Sequence, residues 1–300
     1  MTSTFTYGKR ATFALISRNL KLFFRDRLNV FFSLLGALIL FLIYALFLGE
    51  MQVESVSQTL PEVAHEDVQF FVNSWMFSGI VTITTFTTGL GAFSTLVDDG
   101  QSGRFKDFLV SPARPHLLTL GYISSALVVS LLMSFAVLVL SVLYLGLSTG
   151  TWLSLVLLLR LAAITALCCA AFTALAAFMV SFVRTAGANA GLNTVVGTVM
   201  GFIAAAYIPV GAFPPAVANV ASALPFGQAG MLLRREFTEP ALGAVTSGNV
   251  EAASELRAMF GIDLTVGSWE VSSTYTVLAL AAMFVVFTAL AALRIRSRIR

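Results

Sequence analysis

Two histidines, two cysteines and fifteen carboxylates are the residues of this 300-residue chain with the most obvious chemistry. The carboxylates all fall in polar stretches or at the ends of apolar runs. A carrier coupled to protons or sodium ions normally keeps a titratable or coordinating carboxylate near the bilayer midplane, so their placement argues against that class. His65 and His116 also lie in polar stretches, where neither can serve a buried proton relay. Cys168 and Cys169 are neighbours inside an apolar run, which suits neither a disulfide framework nor a zinc site and leaves them as small packing residues. No G-x-x-x-x-G-K-[ST] phosphate loop, H-E-x-x-H or G-x-S-x-G occurs. No catalytic residue and no metal ligand is therefore expected.

The stretch with the most distinctive spacing is 98–116, DDGQSGRFKDFLVSPARPH, a polar island between two long apolar runs. Gly103 releases a segment in which Phe105, Phe108 and Leu109 share one helical face and Arg104, Lys106 and Asp107 the other. Ser111 and Pro112 end it, because proline cannot continue a helix and restricts the residue before it. Two turns, roughly 10 Å at about 1.5 Å per residue, result. Such a helix is shaped to press against something outside the membrane.

The elements that position this segment are membrane spans. The chain is 58% hydrophobic and 11% charged, against about 25% charged in soluble domains. Apolar runs at about 28–49, 75–97, 117–146, 152–183, 189–208 and 274–293 each approach or exceed the roughly 20 residues needed to cross hydrocarbon. The expected fold is an all-α polytopic membrane protein: an N-terminal amphipathic helix over 1–27, then a six-span domain over 28–300. In the first unit Phe13, Ile16, Leu20, Phe23 and Phe24 gather on one side of a helical wheel. Arg10, Arg18, Lys21 and Arg25 take the other, the pattern of a helix lying in the headgroup region.

Charge sets the orientation. All but four of the eighteen Lys and Arg residues fall on one side of the six spans, the four being Arg160, Arg234, Arg235 and Arg257. That side is cytoplasmic by the positive-inside rule, which places both termini and the 98–116 island in the cytoplasm of a cell-membrane protein. Trp75, Trp152 and Trp269 stand at the opposite interface, where an aromatic belt belongs. No cleavable signal peptide is evident.

The segment 209–273 begins with Pro209, Gly211, Pro214 and Pro215, runs through a largely apolar stretch of nine residues and breaks at Pro225. Nine residues cannot span, but they can enter and return as a re-entrant hairpin. Residues 231–260 are mixed and expected to form helices outside the membrane. Arg160 lies roughly 12 Å below the outer interface at about 1.5 Å per residue. It must face a protein or aqueous interior, or snorkel outward. With Thr84 and Thr88 of the threonine-rich second span and Asn193 of the fifth, it is a candidate lining of a pathway; threonines can equally bond their own backbone or a neighbouring helix. Gly187 with Gly191 and Gly197 with Gly201 suit close helix packing.

Taken together, the basic helix leading into RDRLNVFF at 25–32, the DDGQSGRFKDFLVSP run at 98–112 and the broken IPVGAFPP…LPFG at 208–227 resemble the type-2 ATP-binding cassette exporter permeases. The middle motif is the most specific of the three. The resemblance covers nearly the whole chain and implies a permease subunit, not itself an enzyme, in the drug and natural-product branch or the lipid-linked branch. It implies that 98–116 holds a coupling helix docked on a separate ATPase, with Gly103, Arg104, Phe105, Asp107, Phe108, Leu109, Ser111 and Pro112 as contacts. The interfacial helix, with Arg18, Lys21, Phe23, Phe24 and Arg25, would supply a second contact, and Pro209, Gly211, Pro214, Pro215 and Pro225 would shape an outer gate. ATP and magnesium would act in the ATPase, this chain binding no cofactor. The partners implied are that ATPase, a second permease copy or paralogue, and membrane lipid, without nucleic acid. A channel or secondary carrier working without an ATPase is the competing expectation.

Overall fold

The computed structural model describes residues 2–105, 115–246 and 249–299. Among these the chain is nearly all helix: α1 (Thr2–Arg25), α2 (Arg27–Ile43), α3 (Gly49–Thr59), α4 (His65–Ala92), α5 (Ser94–Gln101), α6 (Pro115–Thr149), α7 (Leu155–Val180), α8 (Ala186–Ile203), α9 (Pro215–Ala223), α10 (Pro225–Thr246), α11 (Val250–Met259) and α12 (Ser273–Ile299). A π-helical turn, Tyr44–Leu48, joins α2 to α3. A two-stranded antiparallel hairpin, β1 (Thr265–Val266) and β2 (Trp269–Glu270), precedes α12.

Among the described residues, five stretches are long and apolar enough to cross a membrane: Arg27–Thr59, His65–Gln101, Leu117–Thr149, Leu155–Val180 and Ser273–Ile295. α9 and α10, bent 83° at Leu224, make a sixth if taken as one broken span. The expected fifth span, 189–208, is instead the 18-residue α8, starting three residues earlier and stopping at Ile203. At about 1.5 Å per residue it rises roughly 27 Å, a little less than the ~30 Å hydrocarbon core. The second span also starts earlier than its hydropathy suggests, because the helix runs from His65 through polar residues before Trp75.

The bundle is built around α4. Its most apolar stretch is 89% buried, against 22–39% for the other four, and α2, α3, α6, α7, α8 and α10 all pack on it. A helix enclosed on every side must satisfy its polar groups internally, and α4 does so through its threonines. Thr82 donates to Ser78 O (2.7 Å), Thr84 to Ile80 O (2.7 Å), Thr85 to Thr82 O (2.6 Å) and Thr88 to Thr84 O (2.7 Å). Across the helix pair, Ser130 of α6 donates to Thr85 O (2.8 Å).

Small residues set how close the neighbours come. A Cβ added at Gly79 would stand 2.7 Å from Ala206 Cβ and 3.2 Å from its Cα, with backbone and not a flexible tip in the way. Gly79→Leu is therefore expected to cost about 1–3 kcal/mol by overpacking, seen as a lowered thermal midpoint of the purified chain. Gly187, Gly191 and Gly197, in contrast, have nothing within 4 Å of where a Cβ would stand. Gly187 and Gly191 thus do not serve close intrachain packing, whereas Gly201 meets the Tyr207 ring and the Gly197 carbonyl oxygen lies 3.9 Å from where a Cβ on Gly36 of α2 would stand.

Two other expectations change. Trp75 is not an interfacial anchor: it is 1% exposed and its indole donates to Phe260 O at 2.8 Å, whereas Trp152 and Trp269 are exposed. Residues 231–260, expected as helices in an outer segment, do form helices, but α10 packs into the bundle against α4, α7 and α12. The cause is the apolar face of α10, where Met231, Leu233, Phe237, Ala241 and Val245 are buried, and Arg234 enters with it because backbone carbonyls receive its guanidinium.

Candidate functional site

At the root of the 98–116 island lies α5, two turns that tie four other helices together. Asp99 is the centre. Its side chain is 1% exposed and takes a bidentate pair from Arg18 of α1, Nη1 to Oδ2 at 2.7 Å and Nη2 to Oδ1 at 2.8 Å. Tyr122 of α6 donates its hydroxyl to Oδ2 at 2.6 Å, and Arg104 adds Nη1 to Oδ1 at 3.2 Å. The carboxylate therefore accepts four charge-assisted or hydroxyl hydrogen bonds, which is what allows an anion to be buried at all. The hydrogen bond to Asp99 raises the Arg18 guanidinium above its ordinary pKa against the opposing pull of burial.

The rest of α5 extends the clasp. Ser94 accepts from Asn29 Nδ2 of α2 at 3.1 Å, and Gln101 Oε1 caps the first turn of α8 by accepting from Ala186 N at 2.9 Å. Beside α5 the chain turns at Asp26, whose carboxylate caps α2 through Asn29 N at 3.1 Å. A cleft of about 260 Å³ opens there between Phe23, Asp26, Asn29, Asp98 and Arg104. Past α5, Gly103 takes φ +77°, the left-handed turn that glycine supplies most cheaply, and Phe105 packs edge-on to Tyr122 with ring centres 6.3 Å apart.

Of the expected contact residues, Gly103, Arg104 and Phe105 stand at this clasp. Asp107, Phe108, Leu109, Ser111 and Pro112 lie outside the described residues. The α1 set divides. Lys21, Phe24 and Arg25 are exposed, but Phe23 is buried and Arg18 reaches Asp99 instead of headgroups. The face of α1 that meets protein is Leu15, Asn19 and Phe23, at i, i+4, i+8, packed on α6, with Asn19 Nδ2 donating to Ser125 Oγ at 3.1 Å. A helical wheel centred on phenylalanines missed this because the protein-facing stripe contains a polar residue. Asp99 and Tyr122 carried a detectable signal, an acid and a basic helix on the same side of the spans, but nothing in one dimension paired them.

The candidate pathway residues each have partners of their own. Thr84 and Thr88 are buried and spend their hydroxyls on α4 itself. Arg160 is 57% exposed with Nη1 at 3.6 Å from Glu236 Oε2 of α10. Asn193 donates to Asn189 O in its own helix at 2.9 Å.

At the far end of α4, the proline-rich segment marks element boundaries. Pro209 precedes a single 3-10 turn (Val210–Ala212), Pro214 and Pro215 start α9, and Pro225 starts α10 after the bend. Gly211 lies so close to Met259 that a Cβ would sit 2.8 Å from its Cα. Arg234 fastens this end. Fully buried, it donates to Ala204 O, to Ala205 O at 2.9 Å and to Gly261 O at 3.4 Å. Its guanidinium lies 5.9 Å from the centre of the Trp75 ring. Ala205 is held at φ +48°, a left-handed conformation uncommon for alanine. No sequence signal separated buried Arg234 from half-buried Arg235 beside it.

Comparison with known proteins gives one family: the model of the ABC-2 type transporter family matches residues 10–235. No curated protein matches the chain.

Proposed function

The chain belongs to the ABC-2 type transporter family and is a permease subunit of an ABC transporter, and from that premise we propose that it exports a hydrophobic or amphipathic molecule under the drive of a separate ATPase docked on residues 98–116. The observation that carries this is the Asp99 clasp. A soluble motor pressing on the island meets a short helix whose side chains already hold α1, α2, α6 and α8. A push there moves four elements together, as rigid-body coupling requires. ATP and magnesium act in the partner, consistent with the missing phosphate loop in this chain.

The excess of basic residues supports a cell-membrane orientation with both termini and the clasp on the cytoplasmic side. α9 and α10 form the re-entrant outer gate, their 83° bend supplying the turn-back. A second permease copy or a paralogue covers α8, where Gly187, Gly191 and Gly197 present open space suited to close helix approach. Lys21, Phe24 and Arg25 of α1 rest on lipid headgroups. The drug and natural-product branch fits the apolar bundle and its long outer segment.

The test is co-expression of the chain with a co-encoded ATPase. ATP-driven movement of an amphipathic dye into inverted vesicles is expected only with both subunits present. Phe105→Ala with Phe108→Ala is expected to weaken ATPase association roughly tenfold or more, the loss of two aromatic anchors at an interface, measured by co-purification. Dye movement without the ATPase would instead establish a channel or secondary carrier.

A further inference from the structure

A second cavity lies at the other end of the bundle from the clasp. From the Trp75–Phe260 contact to its end at Ala92 beside α5, α4 rises roughly 27 Å at about 1.5 Å per residue. Beyond that first end, α9, α11, the β1–β2 hairpin and the first turn of α12 enclose about 770 Å³, within the ~300–1,000 Å³ typical of sites for drug-sized molecules. The walls are braced. Asn219 Oδ1 accepts from Gly267 N at 3.0 Å, and Val271 N donates to Leu264 O at 2.9 Å. Arg235 reaches from α10 to Asp263 (2.7 Å), Ile262 O (2.9 Å) and the Ser273 hydroxyl.

The lining combines apolar side chains, among them Val210, Ala218 and Leu264, with the hydroxyl residues Ser254, Thr265 and Ser272. The charges are unequal in what they have left to offer. Arg235 is paired with Asp263, and Arg257 leans on the same carboxylate at 3.7 Å. Glu270 lines the cavity, is exposed, and has no ion pair among the described residues. Next to it, exposed Trp269 and Tyr275 form an edge-on pair with ring centres 4.8 Å apart, the amphipathic aromatics favoured at headgroup depth.

We propose that this cavity binds an amphiphilic cation, its charged group beside Glu270 and its apolar body against Val210, Ala218 and Leu264. The proposal rests on the export function above and names the class of cargo. A cation with an apolar body gains the uncompensated carboxylate, whereas an anion of the same shape meets it as repulsion.

Tetraphenylphosphonium and tetraphenylborate have the same shape and opposite charge, so they separate the two cases. Equilibrium dialysis against the purified full-length chain, without ATPase, is expected to show saturable binding of the phosphonium in preference to the borate. Glu270→Gln is expected to raise its Kd about three- to fivefold, the size of one partly exposed charge contact, and Glu270→Asp to recover most of that. Ala258→Trp, which fills the cavity, is expected to abolish binding. Equal or tighter binding of the borate, or a phosphonium Kd unmoved by both Glu270→Gln and Ala258→Trp, overturns the proposal. Binding that responds to Glu270→Gln without ATP-driven movement of the phosphonium by the two-subunit vesicles keeps the cavity and overturns export. ATP-driven movement with binding indifferent to both variants keeps export and overturns the cavity.

Discussion

Asp99→Ala is expected to destabilise the purified chain by about 3 kcal/mol and to uncouple it from its ATPase. Removing one partner of a buried ion pair costs about 3–5 kcal/mol, because the other charge stays behind without compensation. Here Arg18 keeps 31% of its side-chain surface, so water recovers part of its charge and the lower end applies. The Tyr122 hydroxyl, in contrast, is left buried and unpaired. Asp99→Asn keeps the shape and one acceptor for Tyr122 while losing the charge, and should fall between alanine and the native residue. The distinguishing readout is functional: with α1 released from α5, substrate should no longer stimulate ATP hydrolysis even where the two subunits still co-purify. A native thermal midpoint and native stimulation in Asp99→Ala would show that the clasp carries neither stability nor force.

Arg234→Met should be at least as damaging, by about 3–5 kcal/mol, and should act at the opposite end. Apolar replacement of a buried ionic group is sometimes neutral when its partners are replaced as well. That route is closed here, since the partners are the backbone carbonyls of Ala204, Ala205 and Gly261. Each carbonyl left unpaired in the interior costs about 1–3 kcal/mol. Ala205, at φ +48°, also loses the donor that holds it there. Faster amide exchange is expected at the end of α8 and across 202–208, with little change at the clasp. Arg234→Lys retains the charge but not the planar fork, so it should recover only part of the loss. Uniform exchange changes along the whole chain would point to general unfolding instead of release of one joint.

Much of the architecture could be read in one dimension because the bilayer imposes a simple requirement. Hydrocarbon accepts only backbone whose hydrogen bonds close within the segment, so long apolar runs become helices, and five of them are found close to where composition placed them. The breaks were equally legible. Pro209, Pro214, Pro215 and Pro225 each stand at an element boundary, because a proline ring lacks the N–H that a helix interior needs. Gly103 marks a turn for the converse reason, its φ of +77°.

Residue order alone therefore yields the class of the protein: a chain of apolar helices interrupted at fixed points, lacking a phosphate loop, with a polar island between the second and third runs. Which polar residues are spent inside and which stay outside is set by the packing of the helices. Arg18 and Arg25 belong to one basic stripe, yet the first is drawn into Asp99 and the second is exposed. Arg234 and Arg235 are neighbours, yet one is buried against backbone and the other pairs with Asp263 at the cavity wall. Hydropathy assigns these pairs the same cost. Burial of a charge is settled by acceptors that arrive from distant segments, 81 residues away for Arg18 and about 30 for Arg234, and such meetings exist only once the helices have packed.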